Sequence, residues 1–355
     1  MDRAVDGGYG GGGRVVSRSE PGAPPVAHPL VVVAVGGNAL LQRGQPAEIE
    51  VQRVNVAAAA VSLAALAGGG WRLVVTHGNG PQVGVLADTV AAAGAAPVPL
   101  DVLDAETQGQ IGYQLELELR NALGVGRELA VLLTQVEVDL ADPAFAQPSK
   151  PIGPWLDEAG AAAARRRGWT LTQPVSGASI GAGGAPATGV DPAAAGPIGP
   201  AVRRWRRVVP SPRPVATLER AVVAELAAAG VIVVCGGGGG IPVARDEAGR
   251  WHGVEAVVDK DRAAALLAIE IGASALVIVT DVDGVYRRWG RPDAQLIREA
   301  TVAELRTLTF EAGSMGPKVD AACTFVERTG HTAAIGSLTA ASALLAGSAG
   351  TRILP

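Results

Sequence analysis

The chain has 355 residues, of which 48% are hydrophobic but only 3% aromatic, with 30 basic against 34 acidic side chains. That length suits one large α/β unit or two joined lobes, with a core built from Ala, Val, Leu and Ile. A formal charge of −4 gathers neither nucleic acid nor anionic lipid, and the distant pair Cys235 and Cys323 suits neither a disulfide framework nor a zinc site, so a reducing cytoplasm is expected.

Residues 1–28 are rich in Gly, Pro and charge and lack apolar periodicity; they read as a disordered tail, or as the product of a start codon assigned too far upstream. From residue 29 to 355 a single domain is expected. Short β-branched runs at 30–35, 72–76, 129–134, 231–235, 275–280 and 332–335 read as strands, most of them apolar without alternation, as in a sheet buried on both faces. Helical stretches fill the gaps, for example 47–67 stopped by Gly68, 102–123 stopped by Gly124 and 260–271 stopped by Gly272. The alternation predicts an α/β fold with an open, mainly parallel sheet and helices on both faces. No uninterrupted apolar run reaches the ~20 residues that cross a bilayer, so a soluble chain without a membrane partner is expected.

The region 136–207 breaks this rhythm with Pro, Gly, Ala and Arg and reads as an inserted, protruding subdomain. Its stretch 173–200 is of low complexity and is expected to be mobile.

Ligands of an open parallel sheet bind beyond the carboxyl ends of its strands, and four glycine-rich loops fall there: Gly36-Gly37-Asn38, His77-Gly78-Asn79-Gly80, the run 236–240, and Gly313-Ser314-Met315-Gly316-Pro317-Lys318. Each offers backbone N–H groups to an anion, though any one of them alone is an ordinary tight turn. There is no G-x-x-x-x-G-K-[ST] loop. The glycines Gly78, Gly80 and Gly84 approximate a dinucleotide fingerprint with the third glycine one position late. With Asp101 near the ribose-binding offset, they leave an NAD-dependent oxidoreductase as an alternative that does not explain the lysines.

Those lysines are only three, Lys150, Lys260 and Lys318, in a chain that otherwise uses arginine. They stand in Pro-Ser-Lys-Pro, Asp-Lys-Asp and Gly-Pro-Lys-Val, settings that suit compact ammonium groups facing phosphate oxygens. Asp259 and Asp261 flank Lys260, either to hold the ammonium or as a helix N-cap with an acidic first turn. His77 reads equally as a turn-stabilising side chain or a ligand contact. Gln108, Gln110, Tyr113, Trp205, Arg206 and Arg207 read as helix-face and packing residues outside the site.

The stretches VVVAVGGNAL, VVTHGNGPQVG, PLDVLDAETQGQIGYQ, TQVEVDLADPAFAQPSKPIGP, WRRVVPSPRP, GGGGGIPV, GVEAVVDKDRAAALLA, VTDVDGVY and GSMGPKVDAA resemble the carbamate kinases of the amino-acid kinase superfamily, over about 30–354. Like them, the chain has no lysine on its first strand, and Lys260 stands in for it; the segment joining KPIGP to WRRVVPSP is longer than in the family. The resemblance implies the three-layer amino-acid kinase fold with a lid subdomain, and reversible phosphoryl transfer between ATP and carbamate. It also implies ATP or ADP with Mg²⁺ carried on the nucleotide phosphates, carbamate or carbamoyl phosphate as the other substrate, and a homodimer.

On this reading Lys260 and Lys318 neutralise the transferring phosphoryl oxygens, Asp261 holds both ammoniums, and Lys150 closes from the lid. Gly36, Gly37, Asn38, Gly78 and Asn79 cradle carbamate and the phosphoryl group. By resemblance Gly238, Gly239, Asp281, Tyr286, Ser314 and Met315 line the nucleotide pocket. A kinase of the same fold with another acceptor, and a non-catalytic nucleotide sensor, are the remaining alternatives.

Overall fold

The computed structural model describes residues 28–40, 45, 48–93, 96–173, 205–310 and 315–355. Apart from His28, the expected N-terminal tail lies outside the described residues, as does all but Gln173 of the low-complexity stretch 173–200. Along the chain, β1 (Leu30–Val35) leads into α1 (Gly37–Leu40) and α2 (Ile49–Gly68), followed by β2 (Arg72–His77), α3 (Gly80–Ala92) and α4 (Leu100–Leu123). Next come β3 (Leu129–Val131), β4 (Gln135–Val138), β5 (Lys150–Leu156), α5 (Glu158–Arg166), β6 (Leu171–Thr172), β7 (Trp205–Val209) and β8 (Pro214–Thr217). The second half holds α6 (Arg220–Ala228), β9 (Ile232–Val234), β10 (Ile241–Arg245), β11 (Trp251–Gly253), α7 (Lys260–Glu270) and β12 (Ala275–Thr280). It closes with β13 (Val285–Arg287), β14 (Gln295–Ile297), β15 (Glu299–Thr301), α8 (Val302–Arg306), α9 (Met315–Thr329), β16 (Thr332–Ser337), α10 (Ala341–Leu345) and β17 (Thr351–Leu354).

Eight strands form the central sheet in the order β15-β17-β16-β12-β1-β2-β9-β3, and every pairing is parallel except β16 with β17. The run LVVVAV of β1 is buried along its whole length because its two faces serve two cores. Leu30, Val32 and Ala34 point toward Val223 and Ala227 of α6, Leu267 of α7 and Phe325 of α9. Val31, Val33 and Val35 point toward Leu63 of α2, Leu115 of α4 and Leu344 of α10. An unalternating apolar strand is what two helical layers require.

Two boundaries differ from the sequence reading for identifiable reasons. The expected strand 129–134 stops at Val131, because Gln108 captures the peptide of Thr134: its Nε2 donates to Thr134 O at 3.1 Å and its Oε1 accepts from Thr134 N at 3.0 Å. The chain then turns into β4, which belongs to a separate sheet of order β11-β10-β4-β8. Helix α4 begins two residues early, at Leu100, whose amide donates to Glu255 Oε1 at 3.0 Å. By length and hydropathy α2 is sufficient to cross a membrane, which an inspection for uninterrupted apolar runs did not anticipate. In this fold it is a layer helix, with Val56, Ala59, Ala60, Leu63, Leu66 and Ala67 buried.

Within the expected insertion, β4 pairs with β10 of the body, while β5, β7 and β6 make a three-stranded antiparallel sheet carrying α5. This small sheet docks on α3 through two glycines: a Cβ on Gly84 would stand 1.9 Å from the Cα of Gly153. Val83 and Ala87 of α3 pack with Ile152 and Val209 around that contact.

Candidate active site

Because β1, β2, β9 and β12 are parallel, their carboxyl ends share one rim, and the loops leaving them meet there. A Cβ on Gly78 would fall 2.8 Å from the amide nitrogen of Gly37 and 3.2 Å from Cδ of Lys260, so three segments distant in sequence touch at one point. Glycine is required there by proximity. Helices α3 and α9 each carry a proline in the first turn, Pro81 and Pro317, where the missing N–H is one that no intrahelical carbonyl would have used.

The charged groups are held by α7. Its N-cap, Asp259, accepts from the amides of Asp261 at 3.1 Å and Arg262 at 3.2 Å, and its other oxygen accepts from Lys150 Nζ at 2.7 Å. The sequence left helix cap and holder of the Lys260 ammonium as alternatives for the flanking carboxylates; Asp259 is the cap and bonds Lys150 rather than Lys260. Asp261, 3% exposed, accepts from Lys260 Nζ on one oxygen and from Lys318 Nζ on the other, the latter at 2.9 Å. All three lysines of the chain thus converge on two carboxylates two residues apart, leaving one positive charge in excess.

Burial lowers the pKa of Lys260, with the Lys318 charge acting in the same direction and Asp261 and Asp259 against it. Lys318 is also disfavoured by burial, but Asp261, Asp259 and Asp281 outweigh this and raise it. Asp259 is lowered: burial opposes ionisation, and Lys150, Lys260 and the helix amides overcome it. His77 is fully buried, and that burial lowers its pKa to about 4, so the ring is neutral near pH 7.

The glycines at 237–239 pack inward. Cβ atoms on Gly237, Gly238 and Gly239 would strike the ring of His77, the carboxamide of Asn79 and the carbonyl of Val258. The amide of Gly239 donates to Gly236 O at 3.2 Å, so it is taken up by the turn itself. Asp281, whose charge acts on Lys318, follows β12 and accepts from Thr280 Oγ1 at 3.2 Å, and Tyr286 on β13 donates its hydroxyl to Asp283 Oδ1 at 2.7 Å. Met315 opens α9 and packs against the core beneath it, whereas Ser314 lies outside the described residues. Asn38 lies in α1, directly after the two glycines at the end of β1.

The sequence reading passed over Asp104 and Thr107 and set Gln108 outside the site; the three line one buried face of α4 at positions i, i+3 and i+4. Polar residues on an apolar helix face were the available signal. It also read Gly84 as a possible third fingerprint glycine, whereas the structure uses Gly84 for the approach of Gly153.

The sequence profile of the amino acid kinase family matches residues 29–337. A carbamate kinase from Haemophilus influenzae is 43% identical over 328 residues, covering 91% of this chain and 96% of that protein. The chain belongs to the amino acid kinase family, in its carbamate kinase branch. A carbamate kinase from Thermococcus kodakarensis is likewise 43% identical, over 91% of this chain and 98% of its own. The structure of a carbamate kinase from Giardia lamblia bound to AMP-PNP superposes with a TM-score of 0.77 at 36% identity, covering 92% of this chain and 99% of that one. Strand β1 carries no lysine, and Lys260 reaches the same rim from α7.

Among the described residues no group of three or more His, Cys, Asp or Glu side chains is placed to hold a metal ion. The two carboxylates nearest the lysines, Asp259 and Asp261, are each engaged by an ammonium group.

Proposed function

We propose that this chain catalyses reversible phosphoryl transfer between ATP and carbamate, running physiologically from carbamoyl phosphate and ADP to ATP and carbamate, which decays to ammonia and CO₂. The observation that carries the reading is the pairing of Lys260 and Lys318 on the single carboxylate of Asp261, beside the Gly36–Gly37 and Gly78 loops. In the synthetic direction a terminal oxygen of ADP attacks phosphorus and carbamate leaves as an anion, so no proton has to be moved at the acceptor. Charge neutralisation and alignment are what the reaction needs.

Lys260 and Lys318 stabilise the phosphoryl oxygens as charge develops, while Asp261 fixes their heads so that little reorganisation accompanies the step. Lys150 reaches in from β5, on a lid formed by the inserted subdomain. The amides of Gly36, Gly37, Asn38 and Asn79 receive carbamate and the phosphoryl group, whereas the Gly78 amide, expected to join them, donates to Val35 O at 3.0 Å and shapes the turn instead. Asp281, Tyr286, Ser314 and Met315 line the nucleotide pocket, and Gly238 and Gly239 shape its phosphate end. Mg²⁺ enters with the nucleotide on phosphate oxygens.

A homodimer is proposed through α2, whose outward side presents Val54, Ala58, Val61 and Ala65 at helical spacing, with Val54 70% and Val61 63% exposed. The cytoplasm is the proposed compartment, in keeping with two free cysteines, both buried. A coupled assay of ATP formation from ADP and carbamoyl phosphate tests the activity, with acetylglutamate, aspartate and uridylate offered as acceptors in the reverse direction. ATP formed from carbamoyl phosphate, with none of the other acceptors phosphorylated, is the expected result. A preference for another acceptor, or NAD binding without ATP formation, would refute it.

A further inference from the structure

Beneath the turn at Gly78 and Asn79 lies a carboxyl group with no role in the chemistry described so far. The side chain of Asn79 is buried, and its Nδ2 donates inward twice, to Asp104 Oδ1 at 2.9 Å and to Thr107 Oγ1 at 2.9 Å. Thr107 is itself anchored on α4, donating to the carbonyls of Leu103 at 2.9 Å and Asp104 at 3.0 Å. Gly238 confines the carboxamide from the opposite side, since a Cβ there would sit 2.3 Å from Nδ2. The Asn79 side chain therefore has one position, and Asp104 is half of what sets it.

Asp104 is 1% exposed, and its second oxygen, Oδ2, is buried with no hydrogen-bond partner among the described residues. The ammonium that acts on it, Lys150 of β5, is bonded to Asp259. The other charges facing it are negative: Asp101 one turn earlier on α4, and Glu255 in the segment before α7. Burial, chiefly, pushes the Asp104 carboxyl up to about 8; the hydrogen bond from Asn79 and the Lys150 charge oppose this, and Asp101 and Glu255 reinforce it. A carboxyl group in such surroundings is neutral at pH 7.

We propose that Asp104 is a positioning residue that works as an uncharged carboxylic acid: it fixes Asn79, and so the Gly78–Asn79 turn, without setting a negative charge behind the amides that receive the substrate anion. This rests on the reading that the Gly78–Asn79 turn holds carbamoyl phosphate. An ionised Asp104 would still accept the hydrogen bond from Asn79, so ionisation leaves the geometry in place and changes the field. Anion binding and Asp104 ionisation then oppose each other, and the binding of carbamoyl phosphate weakens as the pH rises through about 8.

The test is the KM for carbamoyl phosphate and the kcat of ATP formation between pH 6.5 and 9.5, for wild type, D104N, D104A and N79A. In wild type KM rises about tenfold from pH 7 to pH 9 while kcat changes little. D104N keeps an acceptor for Asn79 and does not ionise, so its KM stays close to the wild-type pH 7 value throughout. D104A leaves a buried donor unmet and raises KM about tenfold at every pH; should it fail to fold, D104N decides the matter alone. Titration of the lysines or of the substrate affects wild type and D104N equally and cancels between them. If N79A raises KM but wild type and D104N share one pH profile, the role of Asp104 is overturned and the cradle stands. If N79A leaves KM unchanged, the cradle fails and Asp104 falls with it.

Discussion

At the scale of single residues, function depends on where three ammonium groups find their counter-charges. Lys260 and Lys318 divide the two oxygens of Asp261; on the proposed mechanism, removing either lysine withdraws a fixed positive charge from the phosphoryl position without emptying the nucleotide pocket. K260A and K318A should each lower kcat by about 10²–10³-fold with a much smaller effect on ADP binding, measured by steady-state kinetics and nucleotide titration. Unchanged turnover in either variant removes that lysine from the mechanism.

Stability carries a second residue-scale signature, because two buried groups titrate with opposite sign. His77, lowered to about 4, takes up its proton in the unfolded chain first, so between pH 6.5 and 4 it costs stability as the pH falls. Asp104, raised to about 8, holds its proton longer in the folded chain, so between its ordinary carboxylate range and pH 8 it costs stability as the pH rises. The two cancel from about pH 4 to 6.5, and above that Asp104 acts alone. We expect denaturant-derived stability to fall by about 1 kcal/mol from pH 6.5 to 8, and D104N to remove that fall. A wild-type profile that is flat across this range contradicts the assignment.

At the scale of elements, the small sheet of β5, β6 and β7 is positioned by one close approach. A Cβ on Gly84 of α3 would strike the backbone of Gly153 on β5, which itself takes a φ of 69°, and Lys150 lies three residues before Gly153 on the same strand. G84A should push β5 outward, cost about 1–3 kcal/mol of stability, and weaken the reach of Lys150 to Asp259. A lowered melting temperature together with a kcat reduction like that of K150A would show the coupling, and wild-type kcat in a folded G84A would break it. Elements were legible in the sequence where one layer determined them. The apolar runs of β1 and β12 matched the structure to the residue, since burial on both faces leaves a continuous signature. The stretch after Leu129 did not, because its end is set by a side chain 26 residues away, Gln108, bonding the peptide of Thr134.

At the scale of the whole molecule, the outward side of α2 carries the proposed dimer contact. Charges placed on the outward side of α2, as V54D with V61D, should convert the proposed dimer to a monomer in sedimentation, with the central sheet unaffected because the buried side of the helix is untouched. A wild-type chain that already sediments as a monomer rules the interface out. Deleting residues 181–196, whose composition of Gly, Ala and Pro provides little to bury, should change stability by less than about 1 kcal/mol, and a large fall in melting temperature would show that the segment packs. The sequence by itself determined the layered α/β architecture, the glycine loops at the strand ends and the scarcity of lysine, since periodicity and composition are local properties that need no partner. Only the tertiary structure decided that all three lysines share two carboxylates, that Gly84 and Gly153 meet, and that Asp104 lies buried beneath Asn79. Those are relations between segments 25 to more than 100 residues apart, and burial and counter-charge exist only once the chain has folded around them.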